Sequence, residues 1–281
     1  MPARGAGESA PRSADSGAAP RRGVTGVTHV LRGRSPAGCA IHAAMLSPAP
    51  IAVTLLFVAT VAGMLALALW GAARAARRVG AGAARGVRVA GLAVLGWLAL
   101  TATLAGRGFF DDFQAMPPRM LLAIGLPLLA LLALTFSRRL VPLLRASPPA
   151  WPVGAQAFRI VVEIVLWRLA VAGVAPEILT FTGRNADILV GLSAPVVAYG
   201  CFVKRRWPER VAVWWNWAGI VILLNVVVQA QLSAPTPFRV FATDPPTTFI
   251  ADVPYIWLPA FLVPLAWLLH AVSLRQLRSP R

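Results

Sequence analysis

Seven apolar stretches, at 50–70, 88–106, 120–136, 157–174, 185–203, 211–231 and 254–273, each reach the roughly 17–25 residues with which an α-helix crosses a bilayer core. In lipid every backbone N–H and C=O must be satisfied internally, so such runs read as helices. They are continuous and lack the alternation of β-barrel strands. Of the 281 residues, 58% are hydrophobic and only 13% charged, against about 25% charged in a soluble domain. The predicted class is all-α: a polytopic membrane protein of about seven transmembrane helices, forming one membrane domain over 45–281.

The connections between the runs alternate in charge. Arg74, Arg77, Arg78 and Arg85 lie in 71–87, Arg138, Arg139 and Arg145 in 137–156, and K-R-R-W-P-E-R fills 204–210. Arg275, Arg278 and Arg281 close the chain. The intervening connections mix signs: Arg107 and Arg119 with Asp111 and Asp112, Glu177 with Arg184, Arg239 with Asp244 and Asp252. The positive-inside rule then predicts the N-terminus outside and the C-terminus inside. If 157–174 did not cross, Lys204-Arg205-Arg206 would fall on the outer side and break the pattern. The net charge of +17 is distributed among these short loops, which points to topology rather than nucleic acid. The expected partner is the lipid bilayer.

Residues 1–44 are rich in Ala, Gly, Arg, Ser and Pro, and low apolar content predicts disorder. Their six arginines conflict with export. A chain starting M-L-S-P-A-P at Met45 removes the conflict, and intact mass of the native protein checks that expected start. Cys39 and Cys201 fall in the tail and in a span, so no disulfide is expected.

Charge inside the apolar runs is the main functional signal, because ionisable groups at membrane depth are costly. The fourth run carries Arg159, Glu163 and Arg168. Arg159 and Glu163 are four apart and share a helix face, so they are expected to form a structural ion pair. Arg168 is turned about 140° from Glu163 and needs another partner. The fifth run opens T-F-T-G-R-N-A-D, with Thr182 as the expected N-cap and Asp187 complementing the helix dipole. Gly183 and Arg184 at a helix N-terminus suit an anionic group. Asn225 and Gln229 share a face of the sixth run, where interhelical hydrogen bonds are the structural alternative. The expected ligand site is an outward-facing pocket of Arg168, Arg184, Asn185, Asp187, Asn225, Gln229 and Arg239, with Glu163 at its inner edge. The Pro-rich connection 232–253 is placed to cover it.

Other features carry less. Asp111 and Asp112 are weak candidates for a divalent metal, although Ala115 breaks a D-D-x-x-D pattern. Trp214, Trp215 and Trp217 read as an interfacial belt, and His270 as an isolated structural residue. Pro127, Pro195, Pro259 and Pro264 favour kinks in their helices. The chain has no H-E-x-x-H, Walker or G-x-S-x-G motif, and its last run has no lysine for a retinal Schiff base. No cofactor is expected.

T-F-T-G-R-N-A-D-I-L-V-G-L-S-A-P-V-V-A-Y at 180–199, L-S-A-P-T-P-F-R-V-F at 232–241 and W-L-P-A-F-L-V-P-L-A-W-L-L-H at 257–270 together resemble an uncharacterised family of bacterial integral membrane proteins, over roughly 155–277. In that pattern an acidic residue precedes Gly-Arg-Asn and an aromatic follows it, where this chain has Thr182 and Ala186. The resemblance implies a multi-spanning protein of the bacterial inner membrane and no activity. The expected function is binding or translocation of a small polar or anionic solute or a lipid headgroup. The alternatives are an enzyme acting on a lipid-linked substrate at the outer leaflet, with Asp111, Asp112 and Asp187 as its working groups, and an accessory or sensory protein whose intramembrane charges only cement packing.

Overall fold

The computed structural model describes residues 48–278, and no strand occurs among them. Expectations for the N-terminal tail, Met45 and Cys39 lie outside the described residues. Helices α1 (Pro48–Val79) and α2 (Ala81–Gly106) meet at Gly80, whose φ of 131° is open to glycine. The basic stretch 71–87, expected as a loop, is therefore almost wholly helical, since its Ala-Arg composition favours helix. α3 (Met120–Phe136) runs unbroken through Pro127 and then bends by 70° into α4 (Val141–Ala146). α5 (Ala150–Ala155) leads into α6 (Phe158–Val171). α7 (Asp187–Ala198) ends in a π-helical turn, Tyr199–Val203, that follows Pro195. After α8 (Glu209–Ser233) a second π turn, Leu258–Leu262, contains Pro259 and feeds α9 (Val263–Arg278).

Four helices are long and apolar enough to cross a membrane: α1, α2, α8 and the continuous segment Leu258–Arg278. The bent α3–α4 pair makes a fifth if it is one span. The two helices of the charged hairpin are shorter. α6 has 14 residues, about 21 Å at 1.5 Å per residue against a core of about 30 Å.

The last helix is the hub. Of its most apolar window 56% is buried, against 22% in α1, α2 and α8. α9 packs on α8, α3 and α5, α1 packs on α2 and α6, and α7 packs on α6, α5 and α8. Phe57, Leu169, Phe249, Tyr255, Ile256 and Leu262 fill the core. Leu55, Leu92, Leu129 and Val221 stay exposed on the long helices, an apolar exterior suited to lipid.

Small residues set the closest approaches. A Cβ at Gly191 would stand 2.9 Å from the Ile160 backbone nitrogen, so glycine brings α7 onto α6. Gly219 of α8 leaves room for the His270 ring of α9.

The connections gather at two ends. At the basic end, Arg78 Nη1 donates to the Ala146 carbonyl (2.9 Å) and Gln276 Nε2 to those of Leu144 (2.9 Å) and Ser147 (3.2 Å). At the mixed-charge end, Gln114 Nε2 donates to the Pro235 carbonyl (2.6 Å), and Val240 N to that of Leu232 (2.9 Å).

Gly219→Leu should destabilise the protein in detergent by about 1–3 kcal/mol through overpacking against His270. Gly96→Leu, which meets nothing within 4 Å, should not. Thermal unfolding of the two variants makes the comparison.

Candidate functional site

Gln156, Arg159 and Glu163 lie three and four residues apart, a spacing that sets them along one stripe facing inward. All three are essentially buried, Arg159 and Glu163 at 1% exposure. A glycine-terminated helix end brings the next charges to them. α6 stops at Ala172, and Gly173 takes φ 69°. Val174 N then bonds the Leu169 carbonyl (2.8 Å) and Gly173 N that of Ala170 (2.9 Å), a Schellman end. The chain turns through the short 3₁₀ segment Glu177–Leu179 and enters α7. Gly183 is needed there, because a Cβ would collide with the Glu177 carbonyl.

Asn185 organises that approach. Its Oδ1 accepts from Asp187 N (2.9 Å), covering the first N–H of α7. The N-cap position is Ala186, not Thr182, and the Asn185 side chain covers Asp187 N from the residue before it. The Thr182 hydroxyl bonds that of Thr180 (2.7 Å). Asn185 Nδ2 donates to the Leu179 carbonyl (2.9 Å) and to Glu163 Oε1 (2.5 Å). Asp187 then meets the guanidinium: Arg159 Nη1 to Asp187 Oδ1 is 3.2 Å, with the two side chains 2% and 8% exposed.

The ion pairing expected within α6 is thus corrected. The direct partner of Arg159 is Asp187, 28 residues on, while Glu163 is held by Asn185 and stays within the electrostatic reach of Arg159. Two carboxylates share one guanidinium. Arg159 Nε and Nη2 and Gln156 Oε1 are buried without a hydrogen-bond partner among the described residues, while the Glu163 carboxylate also takes a backbone hydrogen bond from Phe181. Orphaned buried polar atoms are uncommon, and several lie around this one pair.

A second polar cluster adjoins the first. His270 Nδ1 lies 2.9 Å from Asn216 Oδ1, and Asn216 Nδ2 donates to Ser273 Oγ (2.9 Å) and the Ala212 carbonyl (2.7 Å). Because that amide nitrogen donates, its oxygen accepts, which puts the proton of a neutral imidazole on Nδ1. The buried Nε2, without a partner, is then an acceptor. Gln156 Nε2 donates to the Ala266 carbonyl (3.0 Å), one turn before His270, and Arg159 acts electrostatically on His270. The Trp215 ring lies tilted with its centroid 5.4 Å from that of the imidazole and its Nε1 donates to Ser193 (2.8 Å), so Trp215 points inward rather than joining a belt with the exposed Trp214 and Trp217.

The arginines expected to hold an anion do not join this centre. Arg168, in the last turn of α6, is exposed with its guanidinium 5.7 Å from the Trp167 ring. Arg184 is exposed and lies 5.6 Å from the Phe241 ring. Arg239 is spent on its own loop, donating to the carbonyls of Phe241 (3.1 Å) and Thr243 (2.8 Å). Asn225 and Gln229 do share a face, but both donate to the Arg184 carbonyl (3.4 and 3.3 Å) and fasten the α7 approach to α8. Asp112 pairs with Arg119 at 3.0 Å on the surface, and no metal-ligating cluster occurs among the described residues around it or Asp111.

Gln156, Asn216 and Ser273 were missed in the sequence, and His270, read there as isolated, has a partner in Asn216. Asn216 stands inside W-W-N-W, where three tryptophans masked it, and His270 had no sequence neighbour to pair with. A polar residue within an apolar run was the available signal for both.

The class defined by these features is an all-helical membrane protein with a buried charged centre. The chain belongs to a family described as a domain of unknown function, DUF8737, whose model matches residues 117–278. That range holds both polar clusters and excludes α1 and α2. No curated protein and no solved structure matches the chain.

Arg159→Met should lower stability by about 3–5 kcal/mol, because it strands two buried carboxylates. Asp187→Asn should cost clearly less, since Glu163 remains to balance Arg159. Thermal unfolding in detergent ranks the two, and the opposite order would remove the shared-guanidinium account.

Proposed function

We propose that this protein is a seven-span inner-membrane protein that binds and translocates a small cation, the proton included, with Arg159, Glu163, Asn185 and Asp187 as its central site. The observation that carries the proposal is the buried centre itself: one guanidinium, two carboxylates, and polar atoms without hydrogen-bond partners among the described residues. With all three groups ionised the cluster holds one negative charge in excess. At membrane depth that charge calls for a compensating cation. The sign differs from the anion expected from the sequence, because Arg168, Arg184 and Arg239 are engaged at the surface. His270, whose Nε2 lies against Gly219 of α8, adds a second buried polar group within the electrostatic reach of Arg159.

In this reading α6 and α7 are the fourth and fifth crossings of a bacterial inner membrane, with the N-terminus outside and the C-terminus inside. Support comes from the gathering of basic connections at one end and mixed-charge ones at the other. Their short length fits helices that enter the membrane as a mutually neutralising pair. A structural reading is favoured by Asn185, whose amide is fully used in capping and tethering.

Proteoliposomes loaded with a pH-sensitive dye and challenged with acid, Na⁺ or K⁺ separate the two. Wild type should dissipate an imposed proton or cation gradient. Glu163→Gln should slow it by about an order of magnitude, equivalent to about 1.4 kcal/mol, with an unchanged elution profile. Flux no greater than in empty liposomes would leave the structural reading. A cysteine introduced at Thr182 should react with an impermeant reagent from outside intact cells, and one at Arg205 should not.

A further inference from the structure

At the end opposite the Arg184 loop, a cavity of about 940 Å³ opens between α4, the π turn after α7 and the C-terminal turns of α9. Arg145, Arg205, Trp207 and Gln276 line it, with Cys201 at its base and Glu209 at its edge. Neither Arg145 nor Arg205 forms a salt bridge among the described residues. Gln276 is held by two carbonyls through its Nε2, and its buried Oε1 has no partner. A second, apolar cavity of about 230 Å³, walled by Trp70, Trp151, Leu265 and Leu268, shares Leu144, Ser147, Pro148 and Gln276 with the first. The two cavities thus abut, one walled by Arg145 and Arg205 and the other mostly apolar with Arg74 and Arg78 on its wall.

Arg205 supplies the decisive observation. It has φ 51°, and it is the one non-glycine residue with positive φ among those described. It follows the π turn where Lys204 N bonds the Tyr199 carbonyl (2.9 Å) and Arg206 N that of Gly200 (3.0 Å). This is a helix-ending position that favours glycine. The same chain does use glycine at two such positions, Gly108 after α2 (φ 72°) and Gly173 after α6 (φ 69°). An arginine at the third retains a strained backbone and gains a guanidinium on the cavity wall. Strain of this kind is a pointer to function.

We infer that this double cavity is a binding site for an anionic phospholipid. Arg145 and Arg205 hold the phosphate, and one acyl chain lies in the adjoining apolar cavity beside Trp70 and Trp151. Charge complementarity selects the occupant. Two unpaired guanidiniums exceed the single Glu209 carboxylate, and basic pockets between helices on the cytoplasmic side suit anionic headgroups. The inference is independent of the cation pathway and lies at different residues.

Delipidated protein in detergent, supplied with phosphatidylglycerol, phosphatidylcholine or soluble glycerol 3-phosphate, tests it by native mass spectrometry and thermal unfolding. Phosphatidylglycerol should be retained and raise the Tm, and the other two should do neither. Arg145→Gln and Arg205→Gly should each weaken phosphatidylglycerol retention about fivefold, the equivalent of one lost surface guanidinium. Arg205→Gly should keep or raise the Tm of the lipid-free protein, because glycine fits the backbone there. Arg107→Gln, at the other end, should bind as wild type. Equal retention of phosphatidylcholine, or undiminished phosphatidylglycerol binding by Arg205→Gly, overturns the site. Stabilisation by glycerol 3-phosphate alone overturns the lipid as its occupant.

Discussion

The contact between Arg159 and Asp187 fixes how the two short helices of this protein sit in the bundle. Neither α6 nor α7 has the length of the spanning helices around them. A charge at a helix centre costs roughly 2.5–3.5 kcal/mol on an insertion scale, while an apolar side chain returns about 0.3–0.6. Two charges therefore bring α6 close to balance by itself. Meeting Asp187 at 3.2 Å offsets part of that cost, but only if α7 lies against α6. Gly191 provides the approach, and Asn185 fixes the register by tying the start of α7 to Glu163 and Leu179. The pair behaves as one element, and α1, α5 and α8 pack around it.

Helical class was legible in the sequence because lipid permits so few backbone solutions, and a 20-residue apolar run states its requirement openly. The charges were legible as exceptions to the same rule. Their partners were not. Helical periodicity reports which residues share a face, and it correctly set Arg159 with Glu163 and Asn225 with Gln229. It says nothing of what a neighbouring helix presents to that face. Asp187 won Arg159 because α7 delivers a carboxylate to the same depth, and Asn225 and Gln229 reach a backbone carbonyl of the α7 approach. Arg168 misled for a different reason. α6 ends at Val171, so Arg168 belongs to the last turn, where a long cationic side chain reaches outward and suits the helix C-terminus.

Asn216 and His270 show the same limit from the other direction. Each looks isolated in its run, 54 residues apart, yet a 2.9 Å contact joins them because Gly219 lets α8 close on α9. Asn216 is fully used: its amide nitrogen reaches α9 at Ser273 and its own helix at Ala212. Polar bonds thus hold the hub helix to α8, and Gln156 adds one from the α6 side through Ala266. Seven of the buried atoms without a hydrogen-bond partner among the described residues belong to Gln156, Arg159, Glu163, Asp187 and His270.

That concentration argues against packing as the whole purpose of the buried charges. A network built only to cement helices gains from satisfying every member, since an unsatisfied polar atom in low dielectric costs more than an apolar one in its place. The His270 cluster approaches that condition, with Asn216 fully bonded and one imidazole nitrogen left over. The Arg159 cluster departs from it. Its guanidinium touches one carboxylate at a single nitrogen, although the fork of an arginine can serve a carboxylate twice. A second carboxylate stands close by, held by an amide rather than by the cation. The arrangement keeps donors and acceptors unspent inside the bundle, where they are most costly, and a purely structural pair would remove that cost.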